Sequence, residues 1–185
     1  MRGLQFTIVV LLALIVGIGA AQPLSGQAPA RDGFFIGFGV GGGSLGFEDD
    51  SEREASVTGY WKIGGGLSDQ VLLGAEASGW VKEMEDGVTV TSSYLNVVAY
   101  VYPAPAGGLF LKGGLGFATL GGEWSAFDGV SFSTTEDGLG VTLGAGYDIG
   151  FGGRFGLTPH ADFHYGGLED GSTNLIRFGL GFNWY

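Results

Sequence analysis

From Gly33 to Tyr185 the apolar residues return at every second position in one segment after another, and no 3.6-residue apolar stripe is sustained anywhere in that stretch. Two-residue alternation is what strands require when their two faces meet different surroundings. Near the end of the chain, Ile176, Phe178, Leu180, Phe182 and Trp184 alternate with Leu175, Arg177, Gly179, Gly181 and Asn183. Just before them, Phe155, Leu157, Pro159, Ala161, Phe163 and Tyr165 alternate with Arg154, Gly156, Thr158, His160, Asp162 and His164. The same pattern marks eight segments, at 33–45, 55–67, 71–81, 88–102, 109–124, 138–149, 154–165 and 173–185.

The connections between these segments alternate in length. Those at 68–69, 103–108 and 150–153 are short, whereas 47–54, 82–87, 124–137 and 167–172 are long. An even number of strands with tight turns at one end and longer loops at the other predicts an up-and-down transmembrane barrel. Strands of this length span the apolar layer of a bilayer when tilted. Closing the sheet pairs every strand, the condition for strands to exist in lipid. The polar faces carry glycines, aromatics and isolated charges rather than continuous charge, which suits a filled interior, so the apolar faces are expected to point outward.

Composition excludes several alternatives. With 39 glycines but 14% aromatic residues, the chain has too many rings for a disordered segment and lacks a three-residue collagen period. Its net charge of −11 and eight scattered basic residues argue against nucleic-acid binding. The absence of cysteine excludes disulfides, thiolate zinc sites and a lipid-modified amino-terminal cysteine. At the other end of the argument, Arg2, an apolar run and Gly19-Ala20-Ala21 read as a signal peptide over 1–21, followed by a Pro- and Ala-rich lead-in over 22–32 and the barrel domain over 33–185. The expected location is therefore the cell outer membrane.

The opening Gly33-Phe34-Phe35-Ile36-Gly37-Phe38-Gly39-Val40-Gly41 and the closing Arg177-Phe178-Gly179-Leu180-Gly181-Phe182-Asn183-Trp184-Tyr185 resemble the small eight-stranded outer-membrane β-barrel proteins, similar to outer membrane proteins X and A. The resemblance implies an all-β, eight-stranded antiparallel barrel that is monomeric and lies among outer-membrane lipids and lipopolysaccharide. It also implies that the closing aromatic strand is read by the barrel-assembly machinery, with Tyr185 out of phase with Phe182 and Trp184. A structural, envelope-integrity or surface-interaction role follows by analogy alone.

With the polar faces inward, Lys62 and Glu76 are symmetric about Asp69, and Asp162 and Arg177 nearly so about Glu169-Asp170. Together with Lys112, Asp148, His160 and His164 they form the expected interior polar network, either a charge-compensated plug or a narrow ion path. Tyr60, Trp80, Tyr94, Tyr100 and Phe110 are expected to fill the remaining lumen. His160 and His164 stand roughly 13 Å apart along one strand, too far to share a metal. A lipid A-modifying enzyme would need a hydroxyl nucleophile beside one of them, and Gly166 occupies the position two after His164. No catalytic, cofactor or metal motif occurs, and the expectation is a non-enzyme without cofactor.

Most acids fall in the long connections: Glu48, Asp49, Asp50, Glu52 and Glu54 in the first, then Glu83, Glu85, Asp86, Glu123, Asp128, Glu136, Asp137, Glu169 and Asp170. Such a rim is suited to a basic extracellular protein or to divalent cations bridging lipopolysaccharide phosphates. Trp80, Trp124, Trp184, Tyr147 and Tyr165 are candidate interfacial anchors, Trp124 alternatively belonging to the third long loop. Pro159, lacking an N–H in mid-strand, predicts a local bulge. A narrow channel, a lipid A-modifying enzyme and a soluble periplasmic ligand-binding barrel remain the rival classes.

Overall fold

The computed structural model describes residues 31, 33–48, 52–84, 87–125, 131–151 and 153–185. The expected signal peptide and all of the lead-in except Arg31 lie outside the described residues, as do Asp49, Asp50, Glu85, Asp86 and Asp128.

Nine strand segments follow one another as β1 (Phe34–Phe47), β2 (Arg53–Ser68), β3 (Val71–Glu83), β4 (Val88–Val101), β5 (Leu109–Ser125), β6 (Ser131–Tyr147), β7 (Ile149–Gly150), β8 (Phe155–Leu168) and β9 (Gly171–Trp184). Sequence neighbours pair antiparallel except β6 and β7, both of which pair with β8, and β1 pairs with β9. β6 and β7 are thus one stave interrupted at Asp148, and the sheet is a closed, eight-stave, all-antiparallel barrel.

The two faces sort as the alternation predicts. Phe34, Ile36, Phe38 and Val40 of β1, Leu111, Leu115 and Phe117 of β5, and Phe178, Leu180, Phe182 and Trp184 of β9 all point outward and are exposed. Rings on neighbouring strands pack across this surface, Phe38 against Phe182 at 5.8 Å and Phe34 against Trp184 at 6.3 Å. Inward positions are buried. Glycine on that side lets neighbouring strands crowd inward: a Cβ at Gly138 would strike the carbonyl oxygen of Gly167 on the adjacent strand, whereas one at the outward Gly59 would meet only the Gly39 oxygen at 3.7 Å.

Four expectations need correction. The region 124–137 is mostly ladder rather than loop, because Trp124 pairs with Phe132 and Thr119 with Asp137. The β2–β3 turn is Asp69-Gln70, with a register shift between Gly66 and Ser68. Pro159 makes no bulge: Gly146 faces His160 and Ile149 faces Leu157, three residues further along each strand, so register is unchanged across the gap. The missing N–H removes rungs of the ladder without displacing it. Finally, Trp80 is no interfacial anchor. It shares the inward face of β3 with Glu76, is 1% exposed, and its indole N–H donates to the Gly43 carbonyl at 3.3 Å.

The two ends of the barrel differ. At the turn end, where β1 begins and β9 finishes, the strands stop together. At the opposite end β4, β5 and β6 continue upward as a ribbon that rises roughly 15–20 Å past Phe117. Trp124 lies in this ribbon, stacked on Phe132 at 5.8 Å with an interplanar angle of 19°. It holds an inward-parity position there and does not join the outward aromatic rows.

Candidate functional site

The lumen is filled in layers. At mid-height Glu76 of β3, Lys112 of β5, Asp162 of β8 and Arg177 of β9 converge. Lys112 Nζ lies 2.7 Å from Glu76 Oε1 and 3.1 Å from Asp162 Oδ1. Arg177 Nη2 donates to Glu76 Oε1 at 2.6 Å, and its Nε donates to Asp162 Oδ2 at 2.7 Å. The Tyr100 hydroxyl completes the Glu76 shell by donating to Oε2 at 2.7 Å. All four charged residues are buried, and two cations meet two carboxylates. The mutual pairing offsets the desolvation that would otherwise expel any one of them.

The hairpin symmetry places Lys62 directly opposite Glu76 and Asp162 directly opposite Arg177. Only the second pair makes an ion contact. The Lys62 ammonium instead sits over the Tyr100 ring at 4.5 Å, with the Phe110 and Phe35 rings at 5.7 and 5.8 Å. Among the described residues no carboxylate is within ion-pair range of it. Cation–π attraction to three rings compensates part of its lost hydration.

The remaining interior candidates occupy the flanking layers. His160 Nε2 is 3.6 Å from Asp162 Oδ2, and its ring meets the Tyr60 ring edge-on at 4.9 Å. His164 shares a hydrogen bond of 2.8 Å between Nδ1 and the Thr142 hydroxyl, which also accepts from Asn96 Nδ2 at 2.7 Å. An imidazole beside a hydroxyl is the pair that nucleophilic catalysis uses. Here both residues are 0% exposed. Glu76, Asp162 and His164 also bring potential metal-ligating atoms within 4.8 Å of one another. Lys112 and Arg177 already neutralise those carboxylates, so a cation would gain no net negative charge there.

Above this level Leu45, Trp80, Tyr94, Ala118 and Leu175 form an apolar layer. Below it, Phe35, Leu72, Val98, Tyr100, Tyr102, Phe110 and Tyr185 form a second. Asp148 lies at the turn end, buried, and accepts from the hydroxyls of Tyr102 at 2.7 Å, Tyr185 at 2.5 Å and Thr158 at 2.5 Å. Tyr185, out of phase with the outward aromatics, is thus turned into the lumen.

At the ribbon end the acids gather around the mouth. Glu48 accepts from the Ser172 hydroxyl at 2.8 Å, Glu54 pairs with Lys82, and Glu52 lies just before β2. Glu48, Glu136 and Asp170 surround a cavity of about 190 Å³ whose floor is Phe47, Leu120 and Leu168. β6 carries a further feature that alternation alone does not show. Its residues 131–137 pair with β5 on one side, while pairing with β8 begins only at Gly138. Among the described residues this leaves seven positions with an open backbone edge, at the height of Glu123, Glu136, Asp137 and the Trp124–Phe132 pair.

Comparison of the whole barrel with solved structures finds the same architecture. Ail, the attachment invasion locus protein of Yersinia pestis, superposes with a TM-score of 0.60 at 14% identity, covering 83% of this chain and 99% of that one. The chain has the fold of the small eight-stranded outer-membrane β-barrels. Neisserial surface protein A matches with a TM-score of 0.61 at 13% identity over 83% of this chain and 97% of that one. The N-terminal β-barrel domain of Pseudomonas aeruginosa OprF gives 0.51 at 19% identity over 83% and 98%. No protein-family model and no curated protein matches the sequence.

Proposed function

We propose that this is an integral outer-membrane barrel, non-enzymatic and closed to ions, that presents an acidic open-edged ribbon to an extended, basic segment of an extracellular protein. The observation that carries the reading is the unpaired edge of β6 at 131–137. An exposed edge is a template for strand addition, and proteins that do not use one usually blunt it with lysine or proline. This edge, Ser131-Phe132-Ser133-Thr134-Thr135-Glu136-Asp137, contains neither. Its side chains and those of Glu123 and Trp124 supply negative charge beside a stacked ring pair.

Further observations support the reading. The outward apolar rows would be costly in water and are satisfied by acyl chains. Trp184, Tyr147 and Tyr165 on that surface are the rings proposed to sit at headgroup level against outer-membrane lipids and lipopolysaccharide. The charged layer and the apolar layers above and below it leave no continuous polar path through the lumen. The structure of Ail in complex with the heparin analogue sucrose octasulfate shows a barrel of this fold with a polyanion. The rim here is acidic, with carboxylates outnumbering Arg53 and Lys82, and favours a cationic partner.

The test uses the protein in lipid nanodiscs and an alternating Lys-Val peptide, compared with the same peptide N-methylated along one edge. Strand addition predicts that the first binds, weakens with salt, and is lost in Thr135→Pro, whose N–H is on the open side because even-numbered β6 residues bond to β5, while the N-methylated peptide binds poorly. Equal binding of both peptides would reduce the interaction to charge alone, and no binding would remove the reading. Outer-membrane placement is tested separately by fractionation and by a difference in gel mobility between unheated and boiled protein.

A further inference from the structure

Arg31, which precedes the alternating pattern altogether, is 4% exposed. Its guanidinium lies 3.6 Å above the Tyr102 ring. Nη1 donates to the Pro105 carbonyl at 3.1 Å and Nη2 to the Gly107 carbonyl at 2.7 Å, both in the β4–β5 turn. Nε faces Asp148 Oδ2 at 3.8 Å. Because that carboxylate also holds Tyr102, Tyr185, Thr158 and Asn183, a single inward group gathers residues from around the rim.

Two backbone features make room for this arrangement. The ladder break opposite Thr158 and Pro159 frees Asp148 on its β8 side, while its N–H continues the β5 register by donating to the Gly108 carbonyl at 2.9 Å. Gly66 lets the backbone of Arg31 approach β2, for a Cβ there would strike the Arg31 carbonyl oxygen. Close approach at Gly66 and four guanidinium contacts are independent of one another, and both place Arg31 inside the mouth.

We propose that Arg31 is a stopper: it lies across the turn end, and its guanidinium, held by Asp148, Tyr102 and the β4–β5 turn, closes the lumen on that side. Arg31 belongs to none of the strands, so the stopper is separable from the wall. Withdrawing it would expose a vestibule lined by Asp148, Thr158, Tyr102 and Tyr185 while leaving the staves paired. This inference stands whether or not the ribbon binds a partner.

The chain has no cysteine, so one can be introduced as a reporter. Thr158→Cys places a thiol at a 0% exposed position beside Asp148. With the full chain in nanodiscs, a small water-soluble methanethiosulfonate should label it slowly. Adding Arg31→Ala, or separately Gly66→Ala, should raise the labelling rate at least tenfold, whereas Lys82→Ala at the opposite end should leave it unchanged. Arg31→Lys, which keeps charge but loses the forked contacts to the turn, should fall between. Fast labelling with Arg31 intact, or labelling indifferent to both Arg31→Ala and Gly66→Ala, would overturn the proposal. So would loss of the unheated gel mobility in Arg31→Ala, since a stopper is dispensable for the wall.

Discussion

Lys62 and Glu76 are directly opposed across the β2–β3 ladder, yet the carboxylate of Glu76 is bound by Lys112 and Arg177 from across the lumen and not by its ladder partner. Cross-strand neighbours on one face stand close enough to interact, but long side chains on the inside of a narrow barrel reach other walls equally well.

The two residues should therefore respond differently to neutralisation. Glu76→Gln leaves Lys112 and Arg177 short of a buried counter-charge, and breaking such a network costs about 3–5 kcal/mol. Lys62→Met replaces an ammonium among rings by an apolar side chain of similar length and should change stability by less than about 1 kcal/mol. Urea titration of the barrel in lipid vesicles, followed by the unheated gel band, measures both. Equal losses would mean that Lys62 also belongs to the ionic layer.

Glycine tolerance should follow the face. At Gly138 alanine has no room against the Gly167 backbone, so Gly138→Ala should lower the unfolding midpoint markedly or prevent assembly. At Gly59 the surroundings are open, and Gly59→Ala should be neutral or mildly stabilising through the loss of backbone freedom in the unfolded chain. The comparison is made on thermal midpoints of matched preparations, and a similar loss at both positions would contradict the assignment of faces.

Trp80→Ala should cost about 3–5 kcal/mol because it empties the apolar layer above the charges. It should nonetheless stay silent in a planar bilayer, because Glu76, Lys112, Asp162 and Arg177 still close the lumen beneath it. Single-channel recording decides the point. Stepwise conductance in Trp80→Ala alone would show that the charged layer passes ions.

Pro159→Ala restores an N–H at a site where the register is already correct. The expected outcome is an unchanged barrel with added exchange protection near Tyr147, read by hydrogen–deuterium exchange. A shifted register or altered strand content would show that the interruption is needed for alignment.

The fold was legible because alternation over eight segments states both the strand and its two faces, and closure follows from the need to pair every edge. Parity also decides individual side chains. Residue type allows Trp80 either as a lumen-filling ring or as an interfacial anchor, and its shared parity with Glu76 along β3 settles it in the lumen. Tyr185 shows the same lesson, since adjacency to the outward Trp184 requires it to face the lumen. In the candidate site, hairpin symmetry located the ladder partners of Lys62 and Arg177, because antiparallel register keeps the sum of paired positions constant. It did not reveal that Glu76 pairs across the lumen, which depends on barrel diameter and side-chain reach. Arg31 lay outside every periodic segment and carried no local signal. The open edge of β6 was hidden because polar residues between Trp124 and Gly138 read as loop when they in fact continue the ladder on one side only.

The four-residue charge cluster joins β3, β5, β8 and β9, among which only β8 and β9 are hydrogen-bonded neighbours. A tube supported by its wall alone can be flattened by lateral pressure, because each hinge between adjacent staves is free to open or close a little. Contacts running through the middle act as spokes, turning a hoop into a wheel. Lateral squeezing must then break charge contacts at the hub before the cross-section can become oval.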